Sequence, residues 1–523
     1  MDDPSLEAPR QDRAEPYSWY VLGILVLVYV LNFVDRQILS ILANDIKKDL
    51  GLDDAYLGFL YGTAFAVFYA LFGIPLGRLA DGWHRVRLMT LGLGLWSLMT
   101  AASGFSRNGA MLTGARIGVG IGEATASPAA YSLIADLFPR RMRATALAIY
   151  SSGLYLGGGL SVLFGAEIAA RWNAVFPGGG PGGLVGWQAA FMIVGIPGLL
   201  LAMWVATIRE PIRGAIDGIP SPKNPEPFRG FLAELLDVIP PLTLLGALLR
   251  GPKALGINLF AALGIGGAAW GMIQVTGPST WQQWTFVGIG VYAVFSWASA
   301  IRARDLPTFK LIWGSPAFLC TTLGYGMVSF TAYAASFWGA PYAERTFDVA
   351  KSSLGWTLGA PSALAGFLGV IIGGRLADWL QARYESGRVM VVLLGLLTPV
   401  PPLWLAYTAA DFASFAIYSF LAVALSSSAL GAAAAASQAL VLPRMRGTAT
   451  ATFFLATTLV GLALGPFMAG YVSATNGDDL SLGVLSTLVA APAGTILLLA
   501  ALKLVPSAAG SVEQRARLAG EAI

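Results

Sequence analysis

The sequence predicts an all-α membrane protein built of two parallel six-helix halves, with an extra two-helix hairpin between them. Three observations carry this fold class. First, 56% of the 523 residues are apolar and only 12% are charged, against roughly 25% charged in soluble domains, so most of the surface must face lipid. Second, charge-free windows such as 352–374, 389–410 and 480–502 match the roughly 20 residues that a helix needs to span a bilayer. Third, two motifs of the first half recur in the second at nearly equal spacing.

Helices are forced, because lipid offers no partner for unpaired backbone groups, and the period-2 alternation of a membrane barrel is absent. Residues 1–17 are polar and acidic, without the features of a removable signal peptide; they read as a cytoplasmic tail, and the first span is expected to stay. Six spans are expected within 18–208, at 18–43, 55–79, 86–105, 111–137, 144–170 and 185–207. The connection 209–310 opens with a polar, Pro-rich, basic linker (209–253). The charge-free stretch 254–301 follows, with a TGPST turn in its middle. It is long enough for a hairpin that crosses twice; a re-entrant or interfacial hairpin is the alternative. Six further spans are expected within 311–505, at 311–340, 352–378, 389–408, 412–441, 447–473 and 480–502, and 506–523 reads as a second cytoplasmic tail.

Loop charge fixes the expected orientation. With both termini inside, only six of the 33 Lys and Arg lie outside (Lys47, Lys48, Arg107, Arg171, Arg345, Lys351) and two lie within spans (Arg36, Arg116). This is the positive-inside bias, and it accounts for the net charge of +4 without a nucleic-acid partner. The membrane expected is an inner or plasma membrane, and the protein a monomer in contact with lipid. One cysteine, Cys320, and one histidine, His84, exclude a disulfide framework and a His/Cys metal centre. No nucleophile–base pair or phosphate-binding loop is present, so neither an enzyme nor a cofactor is expected. Cys320, Ser426–Ser428 and the glycines at 157–159 read as helix packing.

GRLADGW at 77–83 recurs as GRLADWL at 374–380, each ending the second span of its half. FPRRMRATA at 138–146 recurs as LPRMRGTA at 442–449, each between the fourth and fifth spans. Two motifs kept in order argue for parallel duplication, as in the major facilitator fold. The segment from Gly77 to Arg87 resembles the cytoplasmic loop signature of that superfamily, matching at Gly77, Asp81, Arg85 and Arg87 and departing at Gly82 and His84. An Asp ending one helix beside basic residues opening the next can clasp neighbouring helix ends, so these residues, with Asp378 in the second copy, are gating candidates; His84 is given no role. A narrower resemblance lies in NFVDRQ (32–37), YALFGIPLGRLAD (69–81) and RIGVGIGEATASPAAYSLIADLF (116–138), which are similar to the spinster family of lipid transporters. It covers about 18–210. Family members export sphingosine-1-phosphate, lysophospholipids or related lipids, so the resemblance implies a lipid-like substrate.

Ionisable residues inside spans are functional candidates by default. Asp35 and Arg36 lie in the first span, Arg116 and Glu123 in the fourth. At about 1.5 Å rise per residue, Asp35 and Arg116 fall in the outer half and Glu123 near mid-membrane. Arg116 and Glu123 share a face, whereas Asp35 and Arg36 diverge by about 100°. The four are expected to form one polar site for substrate and protons, unless Arg116 with Glu123, or Asp35 with Arg116, is a static buried pair. Facing them, the second half offers Tyr325, Tyr333, Trp338 and Phe453 and no ionisable residue in its seventh, tenth or eleventh span. A cavity charged on one wall and apolar on the other suits an amphipathic cargo. The expected function is therefore a proton-coupled secondary transporter of a lipid-like substrate working by alternating access. A symporter of small organic anions is the alternative, and a non-transporting receptor or scaffold on the same fold the alternative of another class.

Overall fold

The computed structural model describes residues 14–217 and 225–522; most of the expected N-terminal tail lies outside the described residues. The described chain is helical throughout, with no strand among those residues. Eleven helices are long and apolar enough to cross a membrane, or up to 13 if each of two bent pairs is one span.

In the first half the spans are Pro16–Leu50, Asp54–Gly82, Arg85–Ser103, the pair Gly109–Glu123 and Ala126–Leu137, Arg140–Val175 and Gly186–Val205. The third and fourth are helical where expected, the fourth broken into helices of 15 and 12 residues. Arg85 and Arg87 open the third, and Arg116, Glu123 and Asp136 lie along the fourth. In the second half they are Leu306–Ile312 with Pro316–Phe347 (bent by 54°), Lys351–Gln381, Gly387–Tyr407, Phe412–Gln438, Pro443–Thr475 and Leu480–Gly510. Ordinals below follow this order, seventh to twelfth for the second half.

Two expectations change in the connections. The stretch expected as a polar linker contains two helices, Pro227–Val238 and Leu242–Leu249, bent by 104° to one another. Its acids make the difference, because Glu234 and Asp237 are buried against Arg304 and Arg250. The segment beyond 505 is also helical, continuing to Gly510 and then over Val512–Leu518. The 254–301 stretch forms two full helices, Pro252–Thr276 and Pro278–Arg304, each long enough to cross.

Packing between the halves is uneven along the molecule. The largest buried apolar cluster runs from the first half across to Phe337, Trp338, Leu462 and Phe467. Another cluster, around Phe318, Val392, Ala433 and Leu498, belongs to the second half alone. The halves therefore fuse at the end far from the termini. Gly58 and Gly62 bring the second span onto the eleventh there: a Cβ on either would sit 2.4 Å from the carbonyl oxygen of Pro466 or Leu462. The polar ties between the halves concentrate at the same end. Arg345 holds Asp54 with two hydrogen bonds of 2.8 Å, and Lys47 and Ser473 also reach Asp54. Lys351 holds Asp45 at 2.6 Å. Each second-half helix on a seam also contains a π-helical turn, Gly355–Gly359 in the eighth span and Thr457–Leu462 in the eleventh; such turns are frequent at functional sites.

Candidate functional site: a buried charge cluster and its tyrosine belt

The first span brings Asp35 and Arg36 to mid-molecule, and the fourth brings Arg116 and Glu123 beside them. All four are buried, at 2%, 6%, 0% and 1% exposure. The pairing is not either of those open from sequence. Arg36 Nη2 donates to Glu123 Oε2 at 2.8 Å, while Arg116 Nη1 donates to the main-chain oxygen of Asp35 at 3.2 Å. Helix rotation decides this: the first span turns Arg36 toward the end of Gly109–Glu123 and the side chain of Asp35 toward Trp96 and Thr100 of the third span. Asp35 thus points into its own bundle, and Arg36 is the one of the two that lies nearer the second half.

Aromatic rings enclose the Arg36 guanidinium. Its centre lies 4.5 Å from the Phe65 ring, 4.7 Å from Phe33 and 5.0 Å from Tyr69, while Arg116 lies 5.5 Å from Phe65. Cation–π contacts gain strength when dry. Several polar atoms of the cluster nonetheless have no hydrogen-bond partner among the described residues: Asp35 Oδ1, Glu123 Oε1, Arg36 Nε, and Arg116 Nε and Nη2. Leaving buried charged groups partly unsatisfied costs stability, so the cluster has donors and acceptors to offer a ligand or a proton.

The opposite wall differs from the expected one. Tyr333 lies within electrostatic reach of Arg36 and is only partly buried. Tyr325 and Phe453 stack on each other at 5.2 Å within the second-half core. Trp338 is not a wall residue: it is fully buried at the far end, where its indole donates to Pro466 O at 2.9 Å. Sequence reasoning also missed tyrosines on the first half. Tyr69 and Tyr155 both lie within electrostatic reach of Tyr333.

The loop motif forms a clasp with other acids than expected. Arg85 is fully buried and holds Asp136 of the fourth span, Glu210 at 2.7 Å, and the carbonyls of Ser132 and Pro211. Asp81, Arg87 and Asp378 are exposed, and none of the three forms an ion pair among the described residues. An added Cβ on Gly77 would meet Pro128 at an ordinary 3.9 Å. The clasp therefore lies within the first half, because the chain leaving the sixth span returns beneath the 2–3 loop. His84 also reaches Glu210, at 3.1 Å. In the second half Arg444 plays a comparable part, holding Asp305 at 2.8 Å and Glu521 of the tail.

A bundle of apolar spans fused at one end around a buried ionic cluster defines a membrane transport protein rather than a soluble enzyme. A family model described as Major Facilitator Superfamily matches residues 25–343, more than half of the chain, which therefore belongs to that superfamily: it is an integral, multi-pass transporter of all-α fold and not an enzyme. Within the superfamily it resembles the spinster proteins. It is 23% identical over 465 residues to the "Protein spinster" of Drosophila melanogaster, covering 87% of this chain but 62% of that protein. A solved bacterial homologue of the human lysosomal transporter Spinster, in an inward-facing and occupied conformation, superposes with a TM-score of 0.67 at 25% identity, over 96% of this chain and 99% of that one. An "MFS-type efflux pump" of Mycolicibacterium smegmatis is 27% identical over 502 residues, 96% of this chain and 94% of that protein. A protein of Escherichia coli named "Probable galactarate/D-glucarate transporter" is 24% identical over 490 residues, 91% and 92% of the two chains.

Proposed function

We propose that this transporter works by alternating access, is coupled to protons, and moves an amphipathic, lipid-like cargo with an anionic head. One observation carries the reading: the dry, aromatic-caged Arg36–Glu123 pair sits beside unsatisfied atoms of Asp35 and Arg116 and faces Tyr333 of the other half. An anionic head can compete with Glu123 for Arg36, leaving the carboxylate to take a proton. Opening the site to water, or parting a carboxylate from its Arg, changes its proton affinity, so cargo and proton exchange are linked through one pair. A ligand shifts the two states only by its differential affinity for them, and the pair is placed where the halves part. The bias of Lys and Arg supports a reading with both termini on the cytoplasmic side; in that orientation the fused end faces out and the cargo site opens inward.

The test is flux in liposomes, with and without a pH gradient, for a lysophospholipid or sphingosine-1-phosphate. Asp35→Asn and Glu123→Gln are expected to abolish the part of the flux that the gradient drives. Full gradient-driven flux in both variants would end the proton-coupling reading. The alternative cargo, a small organic anion, is favoured by the Tyr333 hydroxyl on the opposite wall and by the Escherichia coli relative. Competition decides between the two: uptake blocked by galactarate and indifferent to lysophospholipid would support the organic anion.

A further inference from the structure

Helix Pro278–Arg304 of the inserted hairpin does not stand apart in the bilayer; it lies along the seam between the halves. Near the fused end Gln283 is buried, accepts a hydrogen bond from Thr63 of the second span at 2.6 Å, and donates to Ala463 O of the eleventh at 3.4 Å. Midway, a Cβ on Gly290 would meet Leu459 of the eleventh span at 3.0 Å and Val67 of the second at 3.5 Å. Further toward the terminal end Trp297 and Ile301, at 3% exposure each, are buried with Leu71 and Leu455. The hairpin helix thus takes over where direct contact between the second and eleventh spans gives way.

The other seam carries no such cover among the described residues. The fifth and eighth spans meet at Gly159 and Gly359, where a Cβ on either would lie 2.7 Å from the other's carbonyl oxygen. Around that line Leu156, Leu364 and Ile372 remain at least half exposed to lipid. Tyr155 packs against Gly366 on this seam.

We infer that the hairpin is a lateral seal over the seam between the second and eleventh spans, so that a bilayer-borne cargo enters the charge cluster only from the side of the fifth and eighth spans. The inference rests on the amphipathic-cargo reading above. A water-borne cargo has no need of a lateral route, but a lipid tail must slide between helices from the membrane. One seam is covered by the hairpin, with Trp297 and Ile301 packed into it, whereas the other, closed where Gly159 meets Gly359, has no helix laid over it among the described residues.

The experiment uses the full chain in liposomes with a lysophospholipid that carries a photoreactive diazirine in its tail, with labelled residues mapped by mass spectrometry. Competition by excess unlabelled lysophospholipid separates specific from bulk-lipid labelling. Competable labels are expected on 150–163 and 359–372 and at Tyr333, and not on Val67, Leu71, Leu455 or Leu459. In the double variant Trp297→Ala with Ile301→Ala, which thins the plug, competable labels are expected to appear at Leu71 and Leu455. Competable labelling at those positions in the unaltered protein overturns the seal while leaving the cargo reading intact. Absence of competable labelling anywhere overturns the cargo reading and the seal with it.

Discussion

At Arg36, charge and shape are separable. The guanidinium stacks among Phe33, Phe65 and Tyr69 while donating to Glu123, and a lysine would keep only the charge. A hydrogen bond to a charged group is worth about 1.5–3 kcal/mol, and an ammonium cannot offer an anionic head the second, parallel bond of the planar fork. Arg36→Lys is therefore expected to weaken cargo affinity by about tenfold or more, since 1.4 kcal/mol is one decade, with the protein still folded. The concentration dependence of uptake, beside a melting curve, checks this; unchanged affinity would remove Arg36 from the binding site. The four charged residues were legible in the sequence, because an ionised group in a span is costly enough to stand out. Their pairing was not, since it depends on helix rotation set by packing: nothing in NFVDRQ says that Asp35 turns toward Trp96 and Thr100. Tyr69 and Tyr155 were missed for another reason. A tyrosine is half apolar and common in membrane spans, so it gives no signal until a neighbour such as Tyr333 is in view.

Among the elements, the repeated loop between the fourth and fifth spans (and its counterpart between the tenth and eleventh) acts as a pin. Arg143 holds Asp217 beyond the sixth span at 2.8 Å, and Arg444 holds Glu521 beyond the twelfth. In each half the loop arginine fastens the chain that leaves the last helix. The duplication was readable from sequence, but the acids were not, because they lie far along the chain and outside both motifs. The hairpin was readable in the same partial way: lack of charge revealed its two helices, while its place on the seam follows from apolar packing with no sequence signature. Asp305, outside the spans, makes a pH-dependent prediction. Hydrogen bonds from Arg444 lower its pKa from the usual carboxylate range to about 2. A depressed carboxylate stabilises the fold above its unfolded pKa, about 3.9, and loses that contribution as pH falls toward 2. Asp305→Asn is expected to lower the melting temperature by a few degrees at pH 7 and to narrow its difference from the parent protein as pH drops below 4. A difference that stays constant with pH would exclude the ion pair as its source.

For the whole molecule, the contacts between the halves set which state rests lowest. Asp54 is fully buried and bound by Arg345, Lys47 and Ser473, so removing its charge strands Arg345. Breaking a buried pair costs about 3–5 kcal/mol, most of it in the state that contains the pair. Asp54→Asn should therefore shift the population toward the state open at that end. A cysteine placed at Ser40, which is buried and bonds the main-chain oxygen of Phe337 across the halves at 2.5 Å, should react faster with a water-soluble maleimide in that background, with Cys320 replaced. Equal reaction rates would show that the tie does not hold the halves together.

The burial of Asp54 also separates two kinds of contact at that rim by their response to dissolved ions. Going from 0.15 M to 1 M salt shortens the screening length from about 8 Å to about 3 Å. The Lys47–Asp478 contact, whose carboxylate is 56% exposed, is open to that screening, whereas Asp54 offers no surface to solution. Saline habitats and fresh ones would then leave the main closure equally firm, and only its fringe would loosen as the medium grows brackish.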